Sequence, residues 1–161
     1  MKSDNGELTH IDENGKAQMV DVGRKEDTKR RATASGKVSM SVETIEALKK
    51  QEVQKGDVLG VARVAGIQAA KKTSDLIPLC HPLAVNFVSV DFRIQESHVE
   101  IETVVEIFGK TGVEMEALTA CTVAALTIYD MCKAKDKSIT IEEIKLLEKT
   151  GGKSGNWKRS E

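Results

Sequence analysis

Two alternating stretches that meet across a gap of two residues constrain this chain most. In the first, Val88, Val90, Phe92 and Ile94 alternate with Ser89, Asp91, Arg93 and Gln95. In the second, Val99, Ile101, Thr103, Val105 and Ile107 alternate with mostly acidic residues. A period of two places one apolar row on one face of a strand. The gap at Glu96-Ser97 is short enough to join the two as an antiparallel hairpin. A sheet with a single apolar face needs a covering layer there and can leave its other face wet.

The cover is found in helical patterns on both sides of the hairpin. Ser41 can cap a helix whose apolar stripe is Val42, Ile45 and Leu48, and Lys55-Gly56-Asp57 breaks it. A second helix carries Val58, Leu59, Ala62, Ala65, Ala69 and Ala70 on one side, small residues that permit close contact. It ends before Pro78. The longest helix runs from Gly112 to about Ala134, with Met115, Leu118, Cys121, Thr122, Ala125, Ile128 and Cys132 toward the core. Ala32 to Met40 alternates as a strand, with Gly36 inside it at a close backbone approach. Ile139 and Ile141 suggest a last strand, and Ile144, Leu146 and Leu147 a separate short apolar segment. The order is strand, two helices, two hairpin strands, long helix, strand. That is an α+β pattern, a largely antiparallel sheet with helices packed on one face.

Composition narrows the function. The 24 basic and 25 acidic side chains nearly cancel, leaving a net charge of −1, so bulk attraction to nucleic acid or an anionic membrane is not expected. An aromatic content of 3% removes most stacking platforms for single strands. No long apolar run suggests a membrane span, and the N-terminus has no secretory pattern. Cys80, Cys121 and Cys132 form no Cys-x-x-Cys pair and read as small buried or half-buried thiols of a cytoplasmic protein. The 161 residues suit one domain. Residues 1–29 form a polar arm with turn signals at Asn5-Gly6, Asn14-Gly15 and Gly23, expected to be mobile unless ordered by a ligand or a neighbouring subunit. Residues 30–161 form the domain proper, which closes on a glycine-rich basic tail.

The chemistry-bearing groups are local. Gly109-Lys110-Thr111-Gly112 precedes the long helix, and Gly152-Lys153-Ser154-Gly155 returns near the end. Each offers bendable backbone, an ammonium and a hydroxyl, as phosphate oxygens require. Neither is a Walker P-loop, because Val104 and Leu147 stand where that loop needs a glycine. Phosphate contact and a flexible turn with a solvated lysine are both open on this ground. Glu114 and Glu116, two apart, do not share a helix face. They either complement the helix N-terminus or reach a site walled from two sides. Asp130 and Lys133, three apart, share a face, either as a solvated ion pair or as two groups aimed at one ligand. His81 is held between Pro78 and Pro82. Cys80 and His81 are adjacent, poor spacing for a zinc pair, and no metal ligands are assigned. Lys55 and Lys149 do not stand out among the lysines.

Leu76-Ile77-Pro78-Leu79-Cys80-His81-Pro82-Leu83, the stretch Gly109 to Ala120, the stretch Ala125 to Ala134 and Gly151-Gly152-Lys153-Ser154-Gly155 together resemble the MoaC family. Leu8-Thr9-His10-Ile11 and Met19-Val20-Asp21-Val22 are similar to the family's opening. The resemblance runs from about Leu8 to Asn156. Asn156-Trp157 and a short hairpin loop depart from the family pattern, away from the matched positions.

The resemblance implies a ferredoxin-like fold and a homohexamer, a trimer of dimers with active sites at dimer interfaces. It implies conversion of 3′,8-cyclo-7,8-dihydroguanosine 5′-triphosphate to cyclic pyranopterin monophosphate with release of pyrophosphate, an early step of molybdenum cofactor biosynthesis. The substrate would be handed over by an upstream radical enzyme. No cofactor is required, and magnesium is possible with the triphosphate. Residues carried over as catalytic are Lys133, Asp130, Lys55 and His81. Those expected to bind substrate are Leu79, Cys80, His81, Glu114, Met115, Glu116, Lys149 and, from the tail motif, Lys153, with Lys110 as a further phosphate contact. The alternatives are a non-catalytic nucleotide-binding assembly protein and a nucleic-acid-binding module of similar shape.

Overall fold

The computed structural model describes residues 10–12, 14–153 and 155–160. Asn5-Gly6, Leu8-Thr9 and Ser154, named above, lie outside the described residues. The elements are β1 (Thr28–Ser39), α1 (Val42–Lys49), α2 (Val58–Ala70), α3 (Thr73–Leu76), β2 (Phe87–Ile94), β3 (His98–Gly109), α4 (Glu114–Cys132), β4 (Thr140–Thr150) and β5 (Trp157–Lys158). The strand order is β2-β3-β1-β4-β5, every pair antiparallel. Without the short α1, α3 and β5, this is the β-α-β-β-α-β arrangement of a ferredoxin-like fold.

The hairpin forms as the alternation requires, with Ile94 opposite Val99 and Phe87 opposite Glu106. β1 is longer than its apolar row suggested and pairs with the whole of β3, from Thr28 opposite Gly109 to Ser39 opposite His98. Ala32, Ala34 and Val38 of β1 and Val99, Ile101, Val105 and Ile107 of β3 face the helices and are buried. The Thr103 hydroxyl, on that same face, donates to the Ala117 carbonyl of α4 at 2.8 Å. The opposite face carries Lys37, Glu100, Glu102, Glu142 and Lys145 and stays wet.

α4 lies against the sheet and α2. Their contact depends on small residues, Ala62 and Gly66 on α2 and Ala120 and Ala124 on α4. A Cβ at Gly66 would stand 3.0 Å from both the Ala120 carbonyl oxygen and a Val90 methyl. Gly36 of β1 plays the same part under α4, where a Cβ would lie 2.8 Å from the Cys121 sulfur. Met115, expected in the core, is 37% exposed. Residues 117–129 hold no charge, so by length and composition alone α4 could cross a membrane, contrary to the expectation from the sequence. Just over half of an 18-residue span of α4 is buried inside the molecule, as the central helix of the core.

β4 differs from its sequence pattern. The two apolar pieces are one strand broken by two bulges against β1, between Ser35 and Lys37 and between Thr33 and Ala34. Each bulge adds one residue and reverses which side chains face the helices. Ile141 faces them opposite Val38, Leu146 opposite Ala34, and Lys149 opposite Ala32.

Replacement of Gly66 by Leu should destabilise the protein by about 1–3 kcal/mol through overpacking at the α2–α4 contact. Chemical denaturation checks this; an unchanged midpoint would mean that the two helices are not held this closely.

Candidate active site

α4 presents charged groups at both ends. At its N-terminal end Val113 makes no side-chain cap, and Glu114 and Glu116 fill the first turn, where the helix dipole favours negative charge. Glu114 Oε1 accepts a hydrogen bond from Lys149 Nζ at 2.7 Å, with both side chains about three-quarters buried. Lys149 meets Glu114 because the second bulge of β4 turns it to the helix side. Glu116 is 3% exposed. Burial pushes its carboxyl up to about 7, opposed by a backbone hydrogen bond and helped by the charge of Glu114. Near neutral pH it is therefore present in both donor and acceptor forms.

The Pro78–Pro82 loop stands beside this end. The Cys80 thiol is raised above its ordinary range by burial and then by the nearby Glu116 charge, which keeps it a thiol. His81 Nε2 lies 2.8 Å from the Val20 carbonyl. A carbonyl only accepts, so Nε2 carries the proton, and in the neutral ring Nδ1 is the acceptor. Lys110 Nζ donates to the Gly23 carbonyl at 2.9 Å. Two residues of the expected site thus hold the arm segment 20–23. Leu79 and Met115 leave part of their apolar surface exposed here, and Lys153 is exposed on the tail.

The C-terminal end is different in kind. Asp130 accepts from Lys133 at 2.6 Å through Oδ1 and from Lys55 at 2.7 Å through Oδ2. Lys55, in the turn before α2, also donates to the Asp130 backbone carbonyl at 2.9 Å, placing a cation where the helix dipole favours one. The Lys133 and Lys55 hydrogen bonds hold the Asp130 carboxyl down at about 2. Asp130 in return raises the Lys133 ammonium above its ordinary value. Lys133 is therefore held protonated, and its proton is bound more tightly than in a free lysine. All three side chains are about half exposed and open to a ligand.

Sixteen residues separate Glu114 from Asp130 on one helix, about 24 Å at 1.5 Å per residue. The expected site residues thus form two groups within the chain. Glu114, Glu116, Cys80 and Lys149 come together at one end, with His81 next to Cys80 in the loop; Lys55, Asp130 and Lys133 come together at the other. A groove of about 380 Å³ on the wet face of the sheet is lined by Lys37, Arg93, His98, Glu143 and others, none of them an expected site residue. Among the described residues no three His, Cys, Asp or Glu side chains gather as a metal ion would need. The sequence reading passed over Arg30, which sits beside both glycine–lysine elements and lies in no motif that would have singled it out.

Fold and geometry together define an α+β protein with lysine–carboxylate pairs at both ends of one helix. The chain belongs to the MoaC family, whose model matches residues 19–152. It is 59% identical over 156 residues to a protein of Desulfitobacterium hafniense, covering 96% of each chain. It is 60% identical over 156 residues to one of Heliobacterium modesticaldum, covering 96% of this chain and 98% of the relative. With a protein of Peptoclostridium acidaminophilum the identity is 54% over 153 residues, covering 95% and 98%. Each of these relatives bears the name cyclic pyranopterin monophosphate synthase.

A raised carboxyl makes a testable difference to stability. The folded state holds the Glu116 proton up to about pH 7, whereas an unfolded glutamate loses it near 4.3. The folded state binds more protons between those values, so stability is full below the lower one and falls as pH rises through the upper one. Glu116→Gln should remove this fall, gaining up to about 3 kcal/mol on the parent by pH 8. Equal pH profiles in denaturant titrations of the two proteins would show that Glu116 is not buried as a neutral acid.

Proposed function

We propose that this chain converts 3′,8-cyclo-7,8-dihydroguanosine 5′-triphosphate to cyclic pyranopterin monophosphate and pyrophosphate, as an enzyme of molybdenum cofactor biosynthesis. The observation that carries the reading is the pair of lysine–carboxylate clusters at the two ends of α4, in a chain similar along nearly its whole length to proteins bearing that enzyme's name.

The reaction has two parts with different needs. Closing the cyclic phosphate requires a sugar hydroxyl to attack the α-phosphorus. A new P–O bond forms, the bond to the bridging oxygen breaks, the hydroxyl proton leaves, and pyrophosphate departs with the electron pair. Fixed cations around the leaving group favour this step. Lys149, Lys153 and Lys110 take that role, on the glycine-rich segments at one end of the sheet. Opening the guanine-derived ring and building the pyrazine ring requires protons to move in both directions. Lys133 and Lys55 serve as the acid/base pair and Asp130 orients them. His81, Glu114 and Glu116 hold the pterin edge and relay protons, and Leu79, Cys80 and Met115 line the ring. A carboxyl that is half protonated near neutral pH suits such a relay.

Two clusters about 24 Å apart on one helix cannot act on one small molecule. The proposed active site therefore joins the N-terminal cluster of one subunit to the C-terminal cluster of another, within a homohexamer built as a trimer of dimers. The protein would work in the cytoplasm and receive its substrate from an upstream radical enzyme, with 30–161 as the catalytic domain and residues 1–29 as an N-terminal arm that a ligand or a neighbouring subunit orders. No resident cofactor is needed, and a magnesium ion travelling with the triphosphate is compatible with the reading.

Incubation of the purified protein with the cyclised triphosphate should release pyrophosphate and yield the cyclic monophosphate. Lys133→Ala should lower turnover at least about 100-fold, the usual scale for a lost general acid, with its unfolding temperature and oligomeric state unchanged. Turnover near the parent rate would remove Lys133 from the chemistry; no release by the parent protein would end the reading altogether.

A further inference from the structure

The two glycine–lysine elements lie far apart in sequence, yet one residue touches both. β3 ends at Gly109 opposite Thr28, and β4 ends at Thr150 opposite Arg31. Both elements therefore leave the sheet at the same end, on either side of the first residues of β1. Arg30 stands between them, half-buried. Its Nε donates to the Gly109 carbonyl at 3.2 Å and its Nη2 to the Lys110 carbonyl at 3.3 Å. On the other side, a Cβ at Gly152 would overlap Arg30 Nη1, and one at Gly151 would overlap the Lys29 carbonyl. Both glycines have φ in the left-handed region, +92° and +76°, where other residues are strained. The Gly155 N–H closes the turn on the Gly152 carbonyl at 3.1 Å.

The guanidinium is suited to this place by its shape. A planar fork can bond two successive carbonyls while its remaining edge lies against glycine backbone; an ammonium offers one point and no plane. In a trans peptide the C=O and N–H point in opposite directions. Drawing the Gly109 and Lys110 carbonyls toward Arg30 turns the N–H groups of Lys110 and Thr111 away from it, as an anion held by backbone amides requires.

We propose that Arg30 is a positioning residue that locks segments 109–112 and 151–153 into a single rim for the phosphates of the substrate. This rests on the triphosphate reading given above and adds to it the group that sets the rim's geometry. It assigns Arg30 no part in proton transfer.

The test uses the full chain with Arg30→Lys, which keeps the charge, and Arg30→Gln, which removes it. Amide hydrogen exchange is followed in peptides covering 109–112 and 151–153, and pyrophosphate binding is titrated directly. In both variants exchange should quicken in both segments while the β2–β3 hairpin and the middle of α4 stay protected as in the parent. Pyrophosphate should bind about tenfold more weakly or worse, the scale of losing charge-assisted hydrogen bonds, and KM for the cyclised triphosphate should rise more than kcat falls. Unchanged exchange, or faster exchange in only one segment, would overturn the proposal. Weaker binding with unchanged exchange would also overturn it, making Arg30 a direct phosphate contact. A parent protein that fails to bind pyrophosphate would sink the triphosphate reading, while the exchange data would still decide whether Arg30 couples the two segments.

Discussion

The close seat of α4 governs the rest of the structure. Alanines on its inner side, the absent side chains at Gly66 and Gly36, and the buried Thr103 hydrogen bond let the helix lie close to the sheet and α2. A helix held this way is a rigid spacer. It fixes what its two ends can hold and how far apart they stand. One end meets the glycine-rich segments and the 78–82 loop. The other meets the turn before α2.

The two ends are electrostatically unlike, and the cause is burial. At the N-terminal end Glu116 loses water and resists ionisation, while Glu114 is held by Lys149. At the C-terminal end Asp130 keeps its water, gains two ammonium partners and stays ionised. One end is thus able to change protonation near neutral pH, and the other offers fixed charge. The bulges of β4 tie these properties to the sheet. One bulge fewer between Ala34 and Thr33 would send Lys149 to the wet face and leave Glu114 without that ion pair.

Periodicity made the hairpin, the helix start at Ser41 and the antiparallel class legible, because each rests on neighbours in sequence. The two-piece reading of β4 failed for a physical reason: a bulge reverses the alternation that identifies a strand, so one strand looks like two. Met115 was placed inward by its helical spacing, but the first turn buries Val113, Glu116 and Ala117 and turns Met115 outward. In the site, the Asp130–Lys133 pair was visible because it sits three apart on one face. Lys55 on Asp130, Lys149 on Glu114 and Arg30 on Gly109 were not, because each joins segments brought together only by the fold. The family resemblance names these lysines and carboxylates as site residues without pairing them in this way, and leaves Arg30 aside.

An active site assembled from unlike ends of α4 in two subunits makes a demand that no single-chain site would. Lys133→Ala and Lys149→Ala disable opposite clusters. In a dimer containing one of each, one of the two sites carries both lesions and the other carries none. Co-expressing the two inactive variants and assaying pyrophosphate release from the mixed assemblies is therefore the most direct measurement. Random pairing across a two-fold interface should restore about a quarter of the parent activity. Mixed assemblies as inactive as either variant alone would mean that both lysines serve the same subunit's site, and the two-subunit arrangement would be wrong.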